Sequence, residues 1–330
     1  MMYYIESDST DPSYNLALEQ YVFDSLGNEN EYFMLWRNDN AIIVGKHQNT
    51  AGEINASYVR EKGIRVVRRL SGGGAVYHDL GNVNFTFIVN GGNLGAFDFA
   101  SFCKPVVRAL ASLGVTAEIN GRNDMTIDGK KFSGNAQYCK RGRVMHHGTI
   151  LYDSALSVVG QALVVPKDKI ESKGLKSVQS RVTNVKSYMR EDIPVERFIN
   201  ELRDAMFREN DMRPYTLTDT DRAAVQKLRD DVYATWEWNF GASPAYSITK
   251  ERRVEGCGKV EVHMDVTEGI IRNVAFYGDY FGNGDPADLQ AKLTGRRVER
   301  SDLAAALTGI DIAEYFHNLD VETLIDILTE

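Results

Sequence analysis

On both sides of three consecutive glycines, in the stretch 65–89, RVVRRLSGGGAVYHDLGNVNFTFIV, the chain reads as strand. Val66 and Val67 lead into Arg68 and Arg69, and beyond the glycines Val83, Phe85, Phe87 and Val89 alternate with Asn82, Asn84, Thr86 and Ile88. That period of two predicts a hairpin whose second strand has one apolar face. Upstream, Asp11 and Pro12 open a helix with Tyr14, Ala17, Leu18, Tyr21, Val22 and Leu26 on one stripe and Gly27 as its end. The apolar runs 33–36 and 41–44 predict a second hairpin about the polar turn 37–40, with Trp36 in the core, and 53–62 predicts a helix closed by Gly63.

Downstream, Asp98 starts a helix carrying Phe99, Phe102, Val106, Leu110 and Leu113, with a kink or a late start imposed by Pro105 and an end at Gly114. A strand is expected over 115–119. Asp128 and Gly129 between the apolar pieces 125–127 and 131–132 predict a tight hairpin, with Lys130 and Lys131 on opposite faces and one of them turned inward. The stretch 170–184 has no clean period and reads as a loop, 195–209 reads as a helix, and 222–240 contains another. Gly241 to Pro244 breaks the pattern, and beyond it 247–254, 258–266 and 270–277 form a three-stranded meander followed by helices at 285–293, 301–307 and 321–328. The expected domains are 1–243 and a small α+β domain, 244–330.

Composition adds exclusions. With 330 residues, 43% hydrophobic and 25% charged, the chain can bury a substantial core. A net charge of −8 argues against a general nucleic-acid or membrane-surface binder. The opening MMYYIESDSTDPSYN is no targeting stretch, so a cytoplasmic location is expected. Cys103, Cys139 and Cys257 are odd in number and form no CxxC pair, which indicates neither a disulfide framework nor a cysteine zinc site.

The glycine run offers the clearest chemistry, because residues without Cβ let backbone N–H groups approach an anion. Arg69 could add a forked cation for phosphate or carboxylate. Yet GGGAVY has neither the P-loop lysine nor GxGxxG spacing, and alone it reads as a tight turn. Joined with the inward lysine, Arg69 and the acid of NGRND, it would make a site for an anionic ligand with a metal. Asp124 would coordinate Mg²⁺ or serve as a turn or capping acid. His146 and His147 lack the partners of a zinc site, and His147 alone reads as a satisfied hydrogen-bonding residue.

Four blocks in order, RRLSGGGAVYHDLGNVNFTF, NGRNDMTIDGKKFSGNAQ, HHGTILYD and IESKGLKSVQSRVTN, closely resemble the lipoate-protein ligase family, within the group that includes biotin protein ligases and octanoyl transferases. The likeness extends to DPSYNLALE, LWRNDNAIIVGKHQN and WEWNFGASPAY. It implies an α+β fold, with a large mixed-sheet biotin/lipoate-ligase-like catalytic domain and a small accessory domain. It also implies a two-step reaction in which lipoate attacks ATP to give lipoyl-AMP and pyrophosphate. A lysine of a lipoyl domain, in 2-oxoacid dehydrogenase complexes or the glycine cleavage H protein, then takes the acyl group. By the resemblance Arg69, Gly74, Ala75, Val76 and Tyr77 bind ATP, and Lys131 contacts both nucleotide and lipoyl carbonyl. Asp124 holds Mg²⁺. Ser71, Gly72, Gly73, His78 and Trp36 line the lipoyl tunnel, and His147 supports its wall. The loop 170–184 closes over the adenylate and 241–244 is hinge territory. Lys140, Arg141, Arg143 and Lys173 are candidates for a basic patch facing the acceptor. The alternatives are a cysteine-dependent octanoyl or lipoyl transferase acting through Cys139 without ATP, and a lipoyl-domain binder without chemistry.

Overall fold

The computed structural model describes residues 1–27, 29–48, 50–91, 98–121, 123–163, 181–235, 237–241, 248–267 and 270–329. Internal contacts divide the chain into one unit of Met1–Ile43, Glu53–Arg68 and Val76–Asn239 and a second of Val44–Gly52, Arg69–Ala75 and Phe240–Glu330.

Strands β1 (Met2–Glu6), β2 (Glu31–Trp36), β3 (Ala41–Val44), β4 (Arg65–Arg68), β5 (Val76–His78), β6 (Asn82–Asn90), β7 (Glu118–Asn120), β8 (Asp124–Ile127), β9 (Lys130–Lys140), β10 (Arg143–Leu151) and β11 (Met212–Pro214) precede the C-terminal region. In the first unit an eight-stranded sheet has the order β11-β1-β2-β6-β10-β9-β8-β7. It is mixed: β1 runs parallel to β2 and β11, and the strands from β2 to β7 pair antiparallel. Phe33, Val83, Phe85 and Phe87 line one face and meet Phe102 and Val106 of helix Phe99–Ser112 and Phe198 and Leu202 of helix Val195–Glu209. Each such side chain contributes roughly 1.5–3 kcal/mol on burial.

Local chemistry sets the element ends. Asp11 accepts from the Ser13 N–H and Pro12 opens helix Pro12–Asp24, and Asp98 caps helix Phe99–Ser112 through Ser101. That second helix ends at Gly114, whose φ of +86° lets the Val115 N–H return to the Leu110 carbonyl at 3.0 Å. Val115 is therefore spent as a cap, and the strand expected over 115–119 begins only at Glu118. Asp128 and Gly129, with φ of +50° and +74°, form the predicted two-residue turn between β8 and β9. Arg141 and Gly142, at +52° and +75°, make a like turn between β9 and β10 that the sequence reading left without an element.

Other expectations are overturned. The predicted hairpin of 33–36 with 41–44 does not form: β2 joins the eight-stranded sheet, while β3 is the centre of a separate three-stranded sheet, β4-β3-β5. The link between them is anchored outward, since fully buried Asn38 receives the Asn15 amide at 2.9 Å and its own amide faces His78 Nδ1 at 3.1 Å. Nor do β4 and β6 pair across the glycines; β5 intervenes against β3, and β6 pairs with β2 and β10. The helix expected over 53–62 is two short ones, Thr50–Glu53 and Ala56–Glu61, because Asn55 caps the second by accepting from Tyr58 N–H. The single stripe expected of helix Pro12–Asp24 is too narrow, since Asn15 and Glu19 are buried with the apolar side chains. Likewise the polar positions of β6 are buried with the rest of the strand. Glu19 of helix Pro12–Asp24 accepts from Thr86 among them.

In the second unit β12 (Ile248–Val254), β13 (Gly258–Thr267) and β14 (Ile270–Gly278) form the predicted antiparallel meander. One face packs Val260, Val262 and Phe276 against Leu289, Leu303, Phe316 and Leu324 of helices Pro286–Leu293 and Arg300–Leu307, the segment after Ile312–Tyr315, and helix Val321–Thr329. Residues 170–180, 242–247 and Lys173 lie outside the described residues. Among those described, no helix is long and apolar enough to cross a membrane.

Candidate active site

The polar face of the large sheet is where chemistry gathers. Strand register aligns Trp36 of β2 with Asn84 of β6, Asn84 with Thr149 of β10, and Gly134 of β9 with Asp124 of β8. The Gly134 N–H donates to Thr149 Oγ1 at 3.2 Å and completes the row. Residues directly opposite in a sheet share a face, so Trp36, Asn84, Thr149, Gly134 and Asp124 stand on one side. Lys131 leans over this row: a methyl placed on Gly134 would come within 3.1 Å of its Nζ. The same ammonium pairs with Asp124 Oδ1 at 2.6 Å, and both side chains are partly open, at 40% and 35% exposure. A shift in register between Met125 and Thr126 accompanies this placement, bringing Thr126 opposite Lys131. Lys130, its neighbour, is exposed, as the alternation requires. The Lys131 backbone is pinned as well, its N–H donating to the Arg181 carbonyl at 2.7 Å and its carbonyl accepting from Thr183 N–H at 2.9 Å.

One row further along, Met34, Thr86 and His147 are in register. Trp36 Nε1 donates to Thr86 Oγ1 at 2.9 Å, Thr86 donates to Glu19 Oε1 at 2.5 Å, and His147 Nδ1 faces both carboxylate oxygens at 3.0 and 3.2 Å. His78 lies edge-on to Trp36 at 6.3 Å between centroids. Asn82 passes an amide hydrogen to Asn84 Oδ1 at 2.9 Å. Structure thus brings together Trp36, His78 and His147 in the first unit, and Lys131 with Asp124. It adds Glu19, Asn82, Asn84, Thr86, Thr149 and Gly134, which sequence reasoning did not single out as site residues. Their signal was the asparagine and threonine alternation of β6, which resembled a solvent face.

Val76 and Tyr77 belong to β5 in the first unit, whereas Arg69, Ser71, Gly72, Gly73, Gly74 and Ala75 belong to the second. Arg69, 6% exposed, donates Nε to Ser71 Oγ at 3.0 Å and Nη2 to the Gly72 and Gly74 carbonyls at 2.7 and 2.9 Å. Its guanidinium therefore shapes the loop that carries it.

The cysteine alternative fits poorly. Cys139 packs on the core, and burial pushes its thiol up to about 11, so a reactive thiolate is scarce at neutral pH. His146 is fully buried, with burial and neighbouring His147 holding its pKa well below the usual histidine range, and its ring nitrogens face Gln137 and Asn135. The expected basic patch is also broken up. Arg143 is buried over the rings of Phe23 and Tyr32, and Lys140 is paired with Asp24 at 3.1 Å. Among the described residues no three His, Cys, Asp or Glu side chains gather around a metal position. A single partly open carboxylate such as Asp124 suits an ion shared with substrate phosphates, the usual arrangement for Mg²⁺.

Comparison with known proteins identifies the family. Residues 11–207 match the family described as Lipoyl protein ligase A/B catalytic domain, and residues 243–328 match Bacterial lipoate protein ligase C-terminus. Lipoate-protein ligase LplJ of Bacillus subtilis is 42% identical over 331 residues, covering 99% of this chain and 100% of that protein. Lipoate-protein ligase 1 of Staphylococcus aureus is 41% identical over 329 residues, covering 100% of both. Among solved structures, Plasmodium falciparum LipL1 in complex with lipoate superposes with a TM-score of 0.79 at 24% identity, over 100% of this chain and 98% of that one. A lipoate-protein ligase A bound with ATP superposes with a TM-score of 0.60 at 27% identity, over 73% of this chain and 98% of that one. The mixed sheet, the lysine placed over it and both family matches lead to one conclusion: this chain belongs to the lipoate-protein ligase family, in the form that joins the catalytic domain to the bacterial C-terminal region.

Proposed function

We propose that this chain is an ATP-dependent lipoate-protein ligase that forms lipoyl-AMP and then passes the lipoyl group to a lysine of a lipoyl domain. The observation that carries the reading is Lys131, an ammonium supported by Asp124 and set over the partly open end of a row that becomes buried towards Asn84 and Trp36. Four strand spacings separate the ends of that row, on the order of 20 Å, which gives an extended acyl chain room to lie along it. A carboxylate attacking phosphorus develops negative charge, and a fixed cation in a water-poor setting stabilises it. Lys131 plays this part in both steps, against the α-phosphate in the first and the acyl carbonyl in the second. Arg69, Gly74, Ala75, Val76 and Tyr77 serve the nucleotide. Ser71, Gly72, Gly73, His78 and Trp36 serve the lipoyl chain, with His147 behind them. Asp124 would hold Mg²⁺ together with substrate phosphates, and the ion would neutralise charge on the departing pyrophosphate. In this reading 1–243 is the catalytic domain and 244–330 the accessory one, with hinge movement at 241–244.

Support for ATP and for a lipoyl-domain acceptor comes from relatives: the ligase crystallised with ATP, and a bipartite ligase with its E2 lipoyl domain from Thermoplasma acidophilum, 29% identical with a TM-score of 0.65. The test is pyrophosphate release from ATP and Mg²⁺ with lipoate and no acceptor. Wild type should release it in a lipoate-dependent way, and Lys131→Ala should lose at least about a hundredfold in rate. Release independent of lipoate, or none, would reject the adenylation route.

A further inference from the structure

We infer that the turn at residues 278–281 positions the glycine loop for nucleotide, through the Tyr280 carbonyl and the stack of its ring on His47. The inference rests on the proposed nucleotide role of Arg69, Gly74 and Ala75 and adds the element on which the shape of the whole loop, Ser71 to Gly73 included, depends. All the segments involved lie in the second unit.

Backbone confines the loop on two sides. A Cβ on Gly72 would come 2.3 Å from the Tyr280 carbonyl oxygen, and one on Gly45 would come 2.0 Å from the Gly73 carbonyl oxygen. At those distances only a glycine hydrogen fits. The two walls are joined to each other. Gly278 N–H donates to the His47 carbonyl at 2.6 Å, and the His47 ring stacks on the Tyr280 ring with centroids 4.5 Å apart and planes 15° from parallel. Lys46 N–H donates to the Ser71 carbonyl at 2.9 Å, closing the circuit at the loop itself. Behind the turn, Tyr280 is fully buried and meets Phe316 edge-on at 4.6 Å, so the circuit is anchored in the C-terminal core. From inside, Arg69 fixes the Gly72 and Gly74 carbonyls. A run of glycines carries more conformational freedom than any other sequence, and an anion cradle of backbone N–H groups works only when that freedom is already removed. Residues 278–281 and 45–48 remove it.

Two variants outside the proposed binding residues, Gly45→Ala and His47→Ala, separate positioning from general stability, with Tyr280→Phe as the conservative control that keeps the ring. ATP binding by titration calorimetry, KM for ATP and kcat in lipoate-dependent pyrophosphate release, and Tm would be measured for each. The expected result for both is a rise of at least about tenfold in Kd and KM for ATP with kcat within about threefold; Tm should stay near wild type in His47→Ala and fall in Gly45→Ala, whose added Cβ meets backbone. Tyr280→Phe should bind like wild type. If Gly45→Ala does not fold, His47→Ala carries the test. ATP affinity within about twofold of wild type in the folded variants, or a fall in kcat at unchanged KM, overturns the inference. A wild type that binds no ATP overturns the nucleotide reading itself, and the two failures are distinguished in that way.

Discussion

The Lys131 side chain crosses directly over residue 134, which has no side chain, and that makes Gly134 a test of the site. Gly134→Ala adds a methyl 3.1 Å from Nζ and must displace the ammonium. Because small misplacements at a reacting centre are costly, turnover should fall by about tenfold or more with Tm hardly altered. Comparing kcat and thermal melting of that variant checks the claim. Thr86→Val cuts the chain from Trp36 to Glu19 and leaves a buried indole N–H unmatched. The expected loss is about 1–3 kcal/mol of stability, read as a lower urea midpoint at unchanged m. Cys139→Ser should keep the wild-type rate within about twofold, since burial already holds the thiol at about 11. At this scale the sequence showed the charged residues, Lys131 and Asp124, and hid the neutral ones. Asn84 and Thr149 are ordinary strand residues until register places them beside Gly134 and Trp36. Glu19 looks like a solvated helix position until the helix is seen to lie on β6.

At the scale of elements, those with local punctuation were readable. Helix Val195–Glu209, the Asp128–Gly129 turn and the C-terminal meander stand where periodicity and turn residues put them. Pairing partners were not readable, because β2, β3, β4 and β6 choose neighbours far along the chain and no local pattern records that choice. Helix Asp219–Leu228 shows how a cap can tie elements together. Its capping box joins Thr218 and Asp221, and Asp221 also accepts from Tyr21 at 2.6 Å and from Tyr215 at 3.0 Å. Burial pushes the Asp221 carboxyl up, but hydrogen bonds from Tyr21, Thr218 and Tyr215 outweigh it and hold its pKa below the usual aspartate value. A carboxyl with a lowered folded pKa stabilises above the unfolded value near ~3.9 and loses that contribution as pH falls through the folded one. Asp221→Asn should therefore cost about 1 kcal/mol at pH 7. The gap from wild type should close as the pH falls below about 4. Urea titrations at both pH values decide it.

For the molecule as a whole, there are two hydrophobic cores, one around Phe85 and Phe198 and one around Phe276 and Leu324. The smaller one has less buried area to spend against chain entropy. Calorimetry should resolve more than one transition, and activity should vanish at the transition of the second unit, since Arg69–Ala75 belongs to it. Activity that survives that transition would contradict the assignment of the loop. Composition had indicated a large core and a second domain, yet not that the second unit recruits Val44–Gly52 and Arg69–Ala75 from the N-terminal part.

That recruitment has a consequence in time. A ribosome makes the glycine segment about two hundred residues before the turn that confines it. At about 5–20 residues per second the interval is on the order of ten to forty seconds. From residue 131 onward the nascent chain carries Lys131 and a growing part of its sheet while the loop still lacks residues 278–281. On this account the glycine loop takes its confined shape late, only after residues 278–281 have been made.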